Sequence, residues 1–264
     1  MSLFVRFTAR AVAVISLMLC GACKQEAPAP PIRVAAAAIL TAAFEELGRL
    51  FEEQSGQQVS FSFGSSGLLA KQLGEGAPFD VFAAANTTFV DQAVSAGACD
   101  GATKAPYARG RIAVWSRRDL VAPPGTLEEL ADARFKRLAI ASPEHAPYGV
   151  AAREALRSVG VWGAVEPRLV YGENIRQTFQ FAESGNVEAA IVALALVLND
   201  RENPWTLIDE HHHQPIEQAL VVCRHGQSRA GGDAFARFVG SEPGREVMRR
   251  YGFLLPGETL ARAP

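Results

Sequence analysis

Two serines lie between glycines in the segment FGSSGLLAKQL, residues 63–73. An alternating apolar pattern, typical of a β-strand, ends at the first glycine, and a helical pattern follows the second. A small hydroxyl at such a turn can act as a nucleophile, or it can bind an anion together with the free N–H groups of the helix. Ser65 and Ser66 are therefore the first candidate functional residues.

Three other turns share this character, since each places small or hydroxyl residues, or free backbone N–H groups, where a helix begins. A helix start carries unpaired N–H donors and a partial positive charge. Any one such turn is more often a simple helix cap, but four that converge would bind an oxyanion without Lys or Arg. The four turns lie at residues 39–41, 65–67, 146–149 and 173–176.

The elements that carry these turns form two series of alternating strand and helix patterns, which predicts parallel sheets covered by helices. The first series begins at residue 32 and the second restarts at residue 111. Strands near 111–117 and 217–223 lack a convincing helix beside them and are expected to cross between the series. All four turns then lie at the carboxyl ends of strands, where open α/β sheets bind ligands.

The second series contains one helix with a distinctive start. Residues 126–135 read TLEELADARF, with Thr126 as the predicted cap and Glu129 three residues later. This is the pattern of a capping box. In the first series, a threonine is expected to cap the helix TTFVDQAVSAG.

Composition narrows the classes of function. The chain has 264 residues, of which 48% are hydrophobic and 20% charged, enough for two lobes with separate cores. The net charge is −2 and no long basic run occurs, which argues against nucleic acid as a partner. Removal of residues 1–22 deletes two arginines and no acid, which makes the charge −4. Such a protein would select an anion through aimed dipoles rather than overall charge.

The N-terminus has the pattern of an export signal over residues 1–22: two arginines, a short apolar run and small residues. Cys23 follows Gly21 and Ala22, which resembles the bacterial lipobox, although Cys20 stands where leucine is usual. Residues 23–31 are polar and rich in proline, as expected of a flexible tether. The sequence predicts a periplasmic protein anchored through lipidated Cys23; cleavage after Ala22 to give a free periplasmic protein is the alternative.

Five longer segments resemble the periplasmic molybdate-binding proteins of ABC importers: VAAAAILTAAFEEL, FSFGSSGLLAKQLGEGAPFDVFAAA, IASPEHAPYGVAAREAL, NIRQTFQFAESGNVEAAIVAL and RRYGFLLP. The resemblance spans about residues 32–256. It implies a two-lobe, type II solute-binding fold in which each lobe has a mixed, mostly parallel sheet flanked by helices. Lobe I is expected at 32–112 and 219–264, and lobe II at 113–218. The family also implies a monomer without a cofactor that closes on a tetrahedral oxyanion and delivers it to a membrane permease.

The resemblance assigns ligand roles by position. Ser66 matches the serine whose hydroxyl and N–H bind the anion, and Tyr148 and Ile175 match residues whose backbone N–H groups face it. Ile39 stands where the family usually has a Ser or Asn donor, and it can offer only its N–H. Molybdate or tungstate is the expected ligand.

Two side-chain donors of the family are absent from this sequence. One is missing at Ile39, and the other at Ala193, which stands near the position where some members supply a tyrosine hydroxyl. Ser65, Thr41 and the helix starts are expected to compensate. A hydrogen bond to a charged group contributes roughly 1.5–3 kcal/mol, so loss of one or two donors could instead favour a different oxyanion.

An enzymatic alternative treats Ser66 as the nucleophile of a serine hydrolase. The segment 64–68 lacks the final glycine of the G-x-S-x-G motif, and nothing in the sequence links His145 or His225 to Ser66. A role as a sensor instead of a transport component also stays open.

No metal site is expected. The run DEHHHQP at 209–215 lacks ligand spacing and is interpreted as a solvated loop. Asp80, within an apolar run, is interpreted as structural. Arg176 could contact the anion or, equally, face solvent. Export permits a disulfide, but the sequence does not place Cys99 and Cys223 close together.

Overall fold

In the computed structural model, residues 30–119 and 122–258 are described. The predicted signal sequence, Cys23 and most of the predicted tether lie outside this range. The strands are β1 (Ile32–Ala37), β2 (Val59–Gly64), β3 (Val81–Ala84), β4 (Ala105–Gly110), β5 (Ile112–Ser116), β6 (Leu138–Ala141), β7 (Leu169–Gly172), β8 (Ala189–Ala193), β9 (Trp205–Leu207) and β10 (Ile216–Val222).

The helices between and after these strands are α1 (Thr41–Ser55), α2 (Ser66–Gly74), α3 (Thr87–Ser95), α4 (Pro147–Ser158), α5 (Trp162–Val165), α6 (Ile175–Glu183), α7 (Leu194–Val197), α8 (Arg229–Val239) and α9 (Glu242–Arg250). Short 3-10 turns occur at Ala38–Leu40 and Glu128–Ala131, among others. In the part of the chain with described coordinates, no helix is both long and apolar enough to span a bilayer.

The strands form two separate five-stranded sheets. The first has the order β2-β1-β3-β10-β4 and the second β7-β6-β8-β5-β9. In the first sheet β1, β2 and β3 are parallel and β10 is antiparallel to both its neighbours. In the second, β6 is parallel to β7 and β8, whereas β5 runs antiparallel. We call the sheets with their covering helices the first and second lobes; this mixed, two-sheet α/β architecture confirms the predicted fold class.

The chain crosses between the lobes twice. The outward crossing falls at Arg111, between β4 and β5, and the return lies between β9 and β10. Strand β10 is inserted between β3 and β4, so the first lobe is assembled from both ends of the described chain. Ile112 belongs to the second sheet and residues 216–218 to the first.

The helices bury apolar faces with helical spacing. In α1, Phe44, Leu47 and Phe51 are buried against the first sheet, and the helix ends at Gly56, whose φ of 71° suits glycine. Rings of the first lobe meet edge to face, for example Phe51 with Phe235 at a centroid distance of 5.5 Å, which is a favourable geometry for aromatic pairs. One apolar core continues from the first sheet into the second.

Two local predictions were wrong. Residues 126–135 do not form a helix; they contain only the 3-10 turn Glu128–Ala131. A capping box requires Glu129 to bond the Thr126 N–H, but its carboxylate instead accepts a hydrogen bond from Arg134 at 2.5 Å. Helix α3 is capped by Asn86, whose side chain accepts the Phe89 N–H, and not by a threonine.

Asp80 is structural, as predicted. It is fully buried, and its two carboxylate oxygens accept the N–H groups of Arg33 at 2.7 Å and Ser228 at 2.6 Å. Because Ser228 directly precedes α8, the carboxylate attaches the start of that helix to β1. A buried carboxylate is stable here because backbone donors replace its water.

A disulfide joins Cys99 and Cys223, the pair that the sequence left open. Cys99 lies after α3 and Cys223 directly after β10, and the two are opposed as an isolated antiparallel bridge. The disulfide therefore ties the returning strand to the connection between α3 and β4. The two cysteines are 124 positions apart, so the closed loop contains the whole second lobe.

Candidate functional site

All four predicted turns meet at one cavity between the lobes. Ile39 and Ser66 line it from the first lobe, and Tyr148 and Ile175 from the second. The other lining residues are small or uncharged: Ala37, Ala38, Gly64, Ser65, Ala85, Ala146, Pro147 and Asn174. The cavity holds about 10 Å³ for the centre of a water-sized sphere, about enough for one water molecule. The gap between the lobes is therefore narrow at these turns.

The helix starts aim unpaired backbone donors at this space. The N–H groups of Ile39, Ser66, Tyr148 and Ile175 donate no hydrogen bond to another residue of the described ranges. This follows from their positions, because the first N–H groups of a helix have no intrahelical acceptor. Partial positive charge at the starts of α2, α4 and α6 adds to the attraction for an anion.

Local sequence decides which N–H group is free in each turn of the second lobe. Pro147 occupies the first position of α4 and has no N–H, so Tyr148 provides the first available donor of that helix. In α6, the Asn174 side chain accepts the N–H groups of Arg176 and Gln177, each at 3.1 Å. The cap therefore leaves the Ile175 N–H unpaired.

Ser66 adds a side-chain donor. Ser66 is 1% exposed, and its Oγ accepts a hydrogen bond from the Ala85 N–H at 3.0 Å. A hydroxyl that accepts one hydrogen bond keeps its own proton for another acceptor. The Ser66 hydroxyl and N–H can therefore both donate to one guest in the cavity.

Ser65 also lines the cavity, but its hydroxyl is already engaged. It donates to the backbone carbonyl of His145, across the gap between the lobes, at 2.5 Å. The proton that the sequence analysis assigned to an anion is used in this interlobe contact.

The structure does not bring Thr41 or Ala193 into the site. Thr41 begins α1 after the 3-10 turn, and its hydroxyl donates back to the Ala38 carbonyl at 2.8 Å. Thr41 faces an adjoining open groove that it shares with the exposed Arg176. Ala193 is buried at the end of β8 and is not part of the cavity lining. The expected compensation by Thr41 is therefore corrected.

A buried polar network behind the cavity was missed by sequence reasoning. The Tyr107 hydroxyl donates to Gln218 Oε1 at 2.9 Å, and Gln218 Nε2 donates to the Tyr148 hydroxyl at 2.8 Å. Burial raises the pKa of both tyrosine hydroxyls, which are therefore neutral. The network fixes the Tyr148 ring of the second lobe to strands β4 and β10 of the first. Its one signal in the sequence is a glutamine within the apolar strand β10.

Among the described residues, Ser66 has no catalytic base of the kind that a serine hydrolase needs. His145 lies near Ser65 and Gly67, but its ring Nε2 is buried without a hydrogen-bond partner among the described residues. No described imidazole bonds Ser66, whereas a nucleophilic serine needs a base within hydrogen-bond reach. Over residues 30–119 and 122–258, no group of three or more His, Cys, Asp or Glu side chains could hold a metal ion.

Comparison with known proteins agrees with this geometry. Residues 32–254 match the family model described as bacterial extracellular solute-binding protein. The chain belongs to this family. Among curated members, it is 32% identical over 231 residues to the molybdate-binding protein ModA of Rhodobacter capsulatus, covering 86% of this chain and 90% of that protein.

Two further comparisons concern Azotobacter vinelandii. Its molybdate-binding protein ModA is 33% identical over 235 residues, which cover 86% of this chain and 91% of the relative. The solved periplasmic molybdate-binding protein of that organism superposes with a TM-score of 0.79 at 26% identity, covering 85% of this chain and 99% of the other. This family member thus shares both the sequence and the two-sheet fold of the solute-binding proteins.

Proposed function

We propose that this protein captures molybdate or tungstate in the cavity between its lobes and delivers it to an ABC permease. The anion accepts hydrogen bonds from the backbone N–H groups of Ile39, Ser66, Tyr148 and Ile175 and from the Ser66 hydroxyl. The relatives named as molybdate-binding proteins support this choice of ligand.

The observation that carries the proposal is that the cavity offers donors for an anion, whereas its described lining has no charged side chain and therefore no carboxylate to accept a proton. A fully ionised tetrahedral dianion needs only donors. A protonated oxyanion such as hydrogenphosphate also needs an acceptor for its O–H, and without one it loses about 1–3 kcal/mol. The site therefore favours molybdate, tungstate or sulfate over phosphate.

A different dianion is the second candidate. It is favoured by Ile39 and Ala193, which stand where the family is expected to supply side-chain donors, and by the position of Thr41 outside the cavity. Fewer donors reduce the gain from a close fit to one particular oxyanion.

The remaining assignments complete the proposal. The protein acts as a monomer in the periplasm, with residues 1–22 as signal peptide and Cys23 as the lipidated anchor after which residues 23–31 form the tether. A relative from Bacillus subtilis named as a putative ABC transporter substrate-binding lipoprotein, 26% identical, supports the anchor. Lobe I comprises 32–112 and 219–264 and lobe II 113–218. The strand pairing shifts these bounds by up to three residues, because Ile112 pairs within the second sheet and residues 216–218 pair within the first.

Thermal unfolding with a panel of oxyanions tests the function. A ligand that binds only the folded protein stabilises it by RT ln(1 + [L]/Kd), about 2.7 kcal/mol at 100 times Kd. We expect molybdate and tungstate to raise the unfolding midpoint most, phosphate least, and calorimetric titration to give one site. If sulfate gave the lowest Kd, the ligand would be reassigned. If no oxyanion shifted the midpoint, the proposal would be abandoned.

A further inference from the structure

One backbone carbonyl of the second lobe accepts two hydrogen bonds from the first lobe at the edge of the cavity. The carbonyl of His145 accepts the Ser65 hydroxyl at 2.5 Å and the Gly67 N–H at 2.9 Å. His145 lies in the turn between β6 and α4, whereas Ser65 and Gly67 flank the start of α2. Both hydrogen bonds therefore exist only when the lobes are closed.

Gly67 also permits the close approach. A Cβ built at this position would lie 2.7 Å from the His145 Cβ and 2.9 Å from its Cα across the gap, and 2.9 Å from a ring carbon of Phe89 in the first lobe. Contacts this short force a displacement, and the two His145 atoms belong to or adjoin backbone, which yields less than a flexible side chain. Glycine is needed here because of these close contacts and not because of its backbone conformation, since the φ of Gly67 is not in the left-handed region.

The hydrogen-bond pattern of α2 supports a role in closure. Ser65 precedes the helix in the usual position of a capping side chain, but its hydroxyl bonds no N–H group of α2. It reaches across to the other lobe instead. The Ser65 hydroxyl therefore does not cap α2. The residue is only 2% exposed, and the bond to the other lobe fixes the position of its side chain.

We propose that Ser65, Gly67 and the His145 carbonyl form an interlobe latch, a set of positioning residues that determine affinity by stabilising the closed state without touching the anion. This inference rests on the proposed function, because closure matters only if a guest is enclosed. Ser66 then binds the anion while its two neighbours hold the lobes together, which divides the GSSG turn into two tasks.

The latch has a measurable signature. Apparent affinity scales with the fraction of protein in the closed, binding-competent state. A change in closure therefore alters the Kd of every anion by the same factor, whereas a lost ligand contact alters the Kd values unequally.

The first test uses Ser65→Ala, with Ser62→Ala as the matched control, since Ser62 is exposed on β2 of the same lobe. Calorimetry gives the Kd of molybdate, tungstate and sulfate for each protein, and stopped flow gives the dissociation rates. For Ser65→Ala, we expect all measurable Kd values to rise by one common factor of about 3 to 10, mainly through faster dissociation. The unfolding midpoint without anion should match that of wild type.

The second test uses Gly67→Ala against Gly163→Ala, since a Cβ at Gly163 meets no atom within 4 Å. Alanine favours the helix at both positions, and the unfolding midpoint without anion measures any cost of the new contact with Phe89 inside the first lobe. We expect Gly67→Ala to weaken binding more than 100-fold. Small-angle scattering should show that saturating molybdate contracts wild type and Gly163→Ala but leaves Gly67→Ala at its unliganded radius of gyration.

A third variant separates the carbonyl from the ring. His145→Ala keeps the accepting carbonyl, so its Kd for molybdate should stay within about threefold of wild type. A loss as large as that of Gly67→Ala would assign the contact to the imidazole and overturn the latch.

Other outcomes are equally decisive. Unchanged Kd values in Ser65→Ala, unequal factors among the anions, or normal contraction of Gly67→Ala would each overturn the latch while leaving the proposed function intact. If wild type bound none of the oxyanions, the proposed function would fail and the latch would fall with it.

Discussion

The two lobes contribute different chemistry to the same cavity. The first lobe supplies a side-chain hydroxyl, Ser66, besides backbone donors, and it is closed on itself by a disulfide. The second lobe supplies the backbone N–H groups of Tyr148 and Ile175, and its polar lining side chain, Asn174, caps α6 through its oxygen. Neither of the described cysteines belongs to this lobe. A side-chain substitution can therefore delete the Ser66 hydroxyl, whereas the Tyr148 and Ile175 N–H groups can be altered only through the residues that position the backbone.

The largest difference between the lobes should appear in stability. We expect Cys99→Ala with Cys223→Ala to lower the free energy of unfolding by about 2–5 kcal/mol, because the disulfide closes a long loop in the unfolded chain. Urea unfolding of wild type and the double variant measures it. Dithiothreitol should shift wild type to the same midpoint and leave the variant unmoved; equal midpoints for oxidised wild type and variant would contradict the prediction.

The next effect concerns the side-chain donor. Ser66→Ala removes a hydrogen bond to a charged guest, worth about 1.5–3 kcal/mol. It also leaves the buried Ala85 N–H without its acceptor. We expect the Kd for molybdate to rise about 10- to 100-fold in calorimetry, with unequal factors for molybdate and sulfate. Wild-type affinity in this variant would mean that the backbone donors of both lobes are equivalent and sufficient.

A smaller effect is expected from the buried network that positions Tyr148 of the second lobe. Tyr148→Phe removes the acceptor of Gln218 Nε2 and leaves a buried donor unpaired, at about 1 kcal/mol. We expect the Kd for molybdate to rise about fivefold. Tyr171→Phe is the matched control, since Tyr171 is 46% exposed. Adding Gln218→Met to Tyr148→Phe should restore part of the affinity, and no recovery would count against the network as the cause.

The smallest effect is in the pH profile. Burial raises the pKa of Tyr107 and Tyr148 above the ordinary value of 10.0. The folded state then binds more protons than the unfolded state above pH 10, so the stability from these groups is complete below pH 10 and falls as pH rises beyond it. Unfolding in urea at pH 9 and 11 measures the loss, and Tyr148→Phe should show less of it. A loss that begins well below pH 9 would require another group.

The sequence predicted the fold and the meeting of the four turns because both depend on local order. The alternation of strands and helices places Ser66, Tyr148 and Ile175 at helix starts whatever the details of packing. Thr41 was misplaced because the 3-10 turn Ala38–Leu40 moves it past the end of β1. The helix predicted at 126–135 failed because Glu129 finds a stronger partner in Arg134.

Contacts between distant segments could not be predicted in this way. The bond from Ser65 to the His145 carbonyl joins residues 80 positions apart and depends on how closely the lobes approach. The pairing of Cys99 with Cys223 depends on the register of β10, and the place of Gln218 behind the cavity depends on the same strand. Sequence patterns report which face of an element is buried, but not which element lies opposite.

The insertion of β10 between β3 and β4 has a consequence for biosynthesis. The second lobe is encoded by one uninterrupted stretch, so its sheet can assemble as soon as β9 has been made. The first sheet has a gap between β3 and β4 until residue 222 has emerged. A nascent chain therefore carries two open strand edges, on β3 and β4, beside a finished neighbour, and edges of this kind invite pairing with other chains. We expect the chain to need chaperones most between the emergence of β4 and that of β10, and to need them less once β10 has paired with both edges.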